Sequence, residues 1–316
     1  MASIDLPPVL ALSHGTPMLT GEKSHIRDYW RRQGDKALEY GVKGVIIVVC
    51  IDIAHDMENF RNRKLTRQLE QGAHWNAEGR KVKIATNPSP QKEKLGYVKN
   101  SEYSDFKPHP DLKTAERCLQ MLQAAGFEVE ADPKFNWLID TFPMLLRMFP
   151  DRCPPVTIIS QNSHYDPYFH VEIGRTLRPL RKEGYLFIGS GGGVHNLYRV
   201  DWSGMLLWRD NWAQRAPPSG PHLEFRQALE DVICKNGGGP DLKRAIVRLI
   251  KHPYYRVAHG TDEHFLPFCF VAGLVGEEED RGEKGVLACE VWELGQQAET
   301  QFSIGDWPCR SYVAPL

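Results

Sequence analysis

Four of the twelve histidines stand where a short apolar run meets a turn: His14 in "ALSHGTP", His74 in "GAHWN", His195 in "GSGGGVHNL" and His264 in "TDEHFLPF". Imidazole is a common ligand for zinc and for non-haem iron, and its ordinary pKa near neutrality also suits it to moving protons. Three such rings brought together would hold one divalent ion and leave positions open for water, O2 or substrate. A lone histidine beside an apolar run is more often packed and hydrogen-bonded, and the chain has no HExxH, HxH or Cys–His pattern. On residues alone, a shared metal site and four separately packed rings both stay open. The chain also offers Ala-His twice, at Ala54-His55 and at Ala73-His74.

The glycines of "GSGGG" (189–193) raise the question of a phosphate cradle. No GxGxxG or GK[ST] pattern follows, and a histidine does. The glycines, Gly192 among them, read as making room for a bound group next to His195.

These residues need a scaffold. Short apolar or β-branched runs at 7–12, 44–49, 154–160, 185–193 and 285–294 read as strands, the second buried on both faces. The stretch 80–87 alternates like a half-exposed strand. Helical spacing covers 24–41, 111–125, 142–150, 170–184, 222–239 and 241–252, with Gly41, Gly126 and Gly184 as stops. The run 264–276 fits either helix or strand. Alternation of strands and helices along the chain predicts one α/β domain over 1–316, with a central mixed, largely parallel sheet flanked by helices. In such sheets ligands gather beyond the carboxyl ends of the strands, where histidines from separate strands can meet.

Composition excludes several classes. The formal net charge is −1 over 316 residues, so no basic field is present to hold nucleic acid. No apolar stretch reaches the ~20 residues that span a bilayer. The N-terminus lacks a basic n-region, and the seven cysteines form no CxxC pair. Free thiols in a reducing, cytoplasmic compartment are the expectation.

Taken in order, "LSHGTPML", "GAHWNAEGRKVKIATNPSP", "YLFIGSGGGVHNL" and "HGTDEHFLPF" resemble the DOPA-dioxygenase type of class III extradiol ring-cleavage enzymes, in the superfamily of the protocatechuate 4,5-dioxygenase beta subunit. The likeness runs from about Val9 to Val291. It implies a metal triad of His14, His74 and His264, with His195 beside it as a fourth ligand or as the acid/base residue. It implies one Fe(II) or Zn(II) per chain, a catechol-type or phenolic substrate and O2. The implied reaction opens the ring beside the diol and incorporates both oxygen atoms. A neutral three-histidine site would leave the metal its full charge, which favours anionic oxygen ligands. In the family the buried strand runs almost directly into the Ala-His-Trp element. The polar block 50–71 therefore reads as an insertion expected on the surface, and His55 as part of it.

One stretch departs from the family. Setting Thr141-Phe142 of "FNWLIDTFPMLLRMFP" on the family's Thr-Trp pair places Ile139 where a histidine belongs. Isoleucine neither donates a hydrogen bond nor moves a proton. Ile139, Gly192 and His170 are taken as candidate substrate-side residues, with His164 near in sequence and His170 also suited to a structural role. Two enzymatic readings follow: an extradiol dioxygenase, or a zinc-dependent lyase, hydrolase or cyclase acting on a phenolic metabolite at the same metal site. A non-enzymatic binding protein is a third, against which the intact His14, His74, His195 and His264 weigh.

Overall fold

The computed structural model describes residues 6–50, 80–96, 98–212, 214 and 216–308. His74, His55 and residues 51–71 of the expected insertion lie outside the described residues.

Among the described residues nine strands form one mixed sheet: β1 Val9–Ser13, β2 Gly44–Val49, β3 Lys81–Ala85, β4 Glu128–Asp132, β5 Val156–Ile159, β6 Tyr185–Gly191, β7 Val194–His195, β8 Gly285–Glu293 and β9 Gln297–Ile304. The spatial order is β4-β3-β5-β2-β6-β1-β9-β7, with β8 paired to β9. At the centre β5, β2, β6 and β1 run parallel. The sheet turns antiparallel at β3–β5 and throughout the β9 side.

Why these runs become strands is visible in their packing. Along β1, Val9 and Ala11 join one apolar cluster while Leu10 and Leu12 join the other. Along β2, Ile46 and Val48 face the first cluster, and Val45, Ile47 and Val49 the second. Successive side chains of a strand point to opposite faces, so an unbroken apolar run demands a cover on both. The first face is covered by the helices Leu112–Ala124, Pro167–Leu177 and Leu266–Leu274, the second by His25–Tyr40 and Phe142–Met148. The expected helix stops hold: Gly41, Gly126 and Gly184 all take positive φ.

Two features differ from expectation. The run 264–276, ambiguous by periodicity, is a helix over Leu266–Leu274, every residue of it buried. The strand β9, in the polar-looking "QAETQFSI", is not signalled by apolar alternation. It is nevertheless buried almost throughout and pairs with β1, β7 and β8. Among the described residues no helix is long and apolar enough to cross a membrane.

Candidate metal centre

The site forms beyond the carboxyl ends of the central strands. Ser190 on β6 is in register with Leu12 on β1 and Val49 on β2, so three strands end side by side. His14 follows β1 directly, Cys50 follows β2, and the glycine loop follows β6. His264 arrives from the turn ahead of the helix Leu266–Leu274.

The turn after β1 is held firmly. Gly15 takes φ +67°, a conformation that favours glycine. The His14 N–H donates to the Gly191 carbonyl at 3.2 Å. The next residue, Thr16, donates from both its N–H and its Oγ1 to the Glu293 carboxylate at 2.8 Å. Glu293 and Glu299 are fully buried neighbours, and burial raises both pKa values. On the other side, the Gly192 N–H donates to the His264 carbonyl at 2.9 Å. A Cβ on Gly191 would stand 2.3 Å from that same carbonyl, so only glycine lets the two backbones meet. The room made by Gly191 and Gly193 is thus filled by the chain itself, by His264 and Thr300. Gly192 lies under the rings, its virtual Cβ 3.1 Å from the Cβ of His195 and 3.7 Å from that of His264.

His14, Cys50 and His264 each present a ligand atom, and the three atoms lie within 4.8 Å of one another. His14 Nε2 is 3.1 Å from Cys50 Sγ. Donors about 2.0–2.3 Å from a shared zinc ion would be spaced in this way. Both histidines also have Nδ1 engaged, His14 with the Gly15 carbonyl at 3.0 Å and His264 with Glu263 Oε1 at 3.1 Å. Holding Nδ1 in this way leaves Nε2 as the donor and fixes the ring, which is how metal-binding histidines are ordinarily supported. Glu263 is itself positioned, its carbonyl accepting from Gln161 Nε2 at 2.7 Å and its carboxylate from Thr261 Oγ1.

The electrostatics suit a cation. Burial lowers the His14 pKa to about 4, and it also lowers that of His264, aided by His14 and His259. Burial raises the Cys50 thiol well above its ordinary value, with Asp140 and Glu263 adding to the effect, and lifts Glu263 to about 7. Neutral imidazoles are ready to ligate, while the thiol would give up its proton to the charge of an ion. Asp140 Oδ2, Gln161 Oε1 and Glu263 Oε2 are buried side-chain oxygens without a hydrogen-bond partner among the described residues. Buried polar atoms normally have partners, so these oxygens are available to a bound group. The donor set therefore fits a divalent metal.

The other expected residues are placed as follows. His195 lies against His264, ring centroids 3.4 Å apart and planes 10° from parallel. Its pKa is pushed well below the ordinary value by burial and by His264, His14 and His259. His170 is buried with both ring nitrogens engaged by backbone: Nδ1 with the Asp166 carbonyl at 2.7 Å, Nε2 accepting from the Asn162 N–H at 3.2 Å. His164 donates its backbone N–H to Asn162 Oδ1. Ile139 is half-buried against the apolar cluster on the Leu12 and Val49 face, and its N–H donates to Glu93 Oε2 at 3.1 Å. Cys50, the first residue of the block expected on the surface, is 2% exposed beside His14.

Sequence reasoning did not single out Cys50, Asp140, Glu263 or His259. The buried His259 ring has Nε2 at 3.2 Å from the Gly193 carbonyl and packs against Phe225, Tyr255 and Phe265. Its pKa falls to about 3 through burial. Glu263 stood in plain view next to His264; only its orphan oxygen and its bond to Nδ1 reveal its use.

"4,5-DOPA dioxygenase extradiol" of Escherichia coli strain K12 is 27% identical over 303 residues, covering 94% of each chain. The chain is similar to proteins named as extradiol DOPA dioxygenases. The protein of that name from Beta vulgaris is 24% identical over 294 residues, covering 90% of this chain and 91% of its own. The one from Portulaca grandiflora is 32% identical over 184 residues, covering 58% of this chain and 61% of its own. No family model matches. A crystal structure of an uncharacterized protein from Escherichia coli K12 superposes with a TM-score of 0.67 at 22% identity, covering 95% of this chain and all of the other, which supports the fold.

Proposed function

We propose that this chain is a metal-dependent extradiol dioxygenase acting with O2 on a catechol-type aromatic. The observation that carries the reading is the meeting of His14, Cys50 and His264 donor atoms at the carboxyl ends of β1 and β2, in a chain similar to proteins named as extradiol DOPA dioxygenases. His14 and His264 offer Nε2 to the ion, and a third donor comes from the segment leaving β2. Cys50 is the described donor there; His74, implied by the resemblance, follows in the same segment. Bound at this site, Fe(II) would supply the redox centre that ring cleavage by O2 requires, whereas Zn(II) would supply a Lewis acid.

The chain's own groups prepare the substrate. His195, stacked on His264, has its ring placed to exchange a proton with a hydroxyl of the aromatic diol. Glu263 and the Gly15 carbonyl keep the two liganding rings in one orientation.

Cys50 favours a second reading, a zinc-dependent lyase, hydrolase or cyclase on a phenolic metabolite, because a thiolate suits zinc better than an oxygen-reacting iron. One experiment separates them. Protein reconstituted anaerobically with Fe(II), and separately with Zn(II), is given catechols bearing a side chain. Uptake of one O2 per substrate with a yellow ring-opened product, only with iron, is the expected result. Full metal loading with no O2 uptake on any catechol would overturn the dioxygenase reading.

A further inference from the structure

Asp140 is a carboxyl group in an unusual place. It is 2% exposed, and its Oδ2 has no hydrogen-bond partner among the described residues. Thr141 Oγ1 donates to Oδ1 at 3.0 Å. Ser190 Oγ donates to the Asp140 backbone carbonyl at 2.7 Å. Ser190 is the β6 residue in register with both Leu12 and Val49, so this bond pins Asp140 over the ends of β1, β2 and β6. His14 and Cys50 emerge from those ends. The charged group that acts on Asp140 is Glu93, which also accepts from the Ile139 N–H.

We infer that the Asp140 carboxyl faces the metal pocket and hydrogen-bonds through Oδ2 to an oxygen of the bound phenolic, the role that Ile139 beside it cannot play. This rests on the catechol reading of the site. A buried carboxyl with one oxygen tied by Thr141 and the other free is held in a single orientation, and leaving that second oxygen unmatched costs stability unless a ligand uses it. Burial raises the Asp140 pKa well above its ordinary value, so as an acid the group meets a phenolate as the donor. The neighbouring Ile139 side chain packs into the apolar cluster, so the chain carries the polar function one residue further on.

The test uses the full metal-loaded chain without O2 and 4-nitrocatechol as the probe, whose colour reports its ionisation. Asp140→Leu is expected to weaken binding roughly 10- to 100-fold, the worth of a hydrogen bond to a charged group. Metal content should be unchanged. Asp140→Asn, which keeps a donor, should restore most of the affinity, a rescue that a merely structural role would not show. A second readout needs no catechol. Infrared difference spectra on adding Zn(II) should show a shift of a protonated carboxylic acid C=O band that Asp140→Asn removes, which also decides the matter if Asp140→Leu does not fold. Equal 4-nitrocatechol affinity in wild type and Asp140→Leu, or no carboxylic acid band shift in wild type, would overturn the inference. Metal loading with the band shift but no 4-nitrocatechol binding by wild type would instead sink the catechol reading, with Asp140 still placed at the pocket.

Discussion

The imidazole of His195 lies flat on that of His264, centroids 3.4 Å apart and planes 10° from parallel. Two protonated rings cannot occupy that arrangement in a buried site, because like charges so close are barely screened. On the proposed reading the stack separates two roles: His264, tied through Nδ1 to Glu263, would be the ligand, and His195 the group that carries a proton. His195→Gln should keep its metal while losing about 10²–10⁴ in ring-cleavage rate, the usual worth of an acid/base group. Metal analysis beside O2 uptake checks this. Loss of metal in step with activity would make His195 a fourth ligand instead.

The buried histidines also set the acid stability. Burial holds His170 at about 4, against an ordinary value of 6.5, with its Asp166 hydrogen bond offsetting only part of the shift. Between those values the unfolded chain binds more protons than the folded one, so stability rises with pH. The contribution is fully present above about 6.5 and is lost as pH falls towards 4, on the order of 3 kcal/mol at the acid end. His14 and His259 act in the same direction. Glu263, raised to about 7, acts oppositely: its share is present below its unfolded value and lost as pH rises through 7. Denaturant titrations of metal-free protein should show His170→Gln with a shallower loss of stability between pH 6.5 and 4. An unchanged slope would clear His170.

The parts of this fold that obey simple periodicity were legible in the residues. The run Gly44–Val49, apolar throughout, announced a strand covered on both faces, and Gly41, Gly126 and Gly184 announced helix ends. β9 was not legible, because two of its buried polar residues find distant partners: Gln301 bonds the Trp30 indole and the Ser13 carbonyl, and Thr300 bonds Ser13. No local pattern encodes such pairings. The site divides in the same way. His14, His195 and His264 were visible as histidines at strand or helix ends. Cys50 looked like the first residue of a polar block, and only the register of β2 against β6 carries it to His14. Asp140 was hidden because the departure at Ile139 drew the eye to a missing group.

A different kind of group holds the sheet to its last helix. Arg181 donates to both oxygens of Asp280, at 2.7 and 2.8 Å, and to the carbonyls of Leu274 and Pro7. Both side chains of the ion pair are buried. Removing one partner leaves the other charge stranded, at a cost of about 3–5 kcal/mol. Asp280→Ala should therefore fall sharply in denaturant midpoint. Replacing both residues with apolar ones of similar volume should recover much of the loss. A mild effect from Asp280→Ala alone would mean that water relieves Arg181.

The third metal ligand is open to a direct optical test. Co(II) bound by thiolate gives an intense near-ultraviolet charge-transfer band that nitrogen and oxygen ligands do not. With Cys50 Sγ 3.1 Å from His14 Nε2, the Co(II)-loaded chain should show that band, and Cys50→Ser should lose it. Glu263→Gln, which alters only the partner orienting His264, should weaken metal binding roughly 10- to 100-fold. His14→Ala and His264→Ala remove donors themselves and should cost more than that. Deleting 50–71 joins Val49 to Gly72 and takes Cys50 away while keeping His74 close to the end of β2. A deletion chain that folds, binds metal at full affinity and lacks the sulfur band would place His74 in the third position. Loss of metal on deletion, with the band present in wild type, would assign that position to Cys50 and shift the balance towards zinc chemistry at this site.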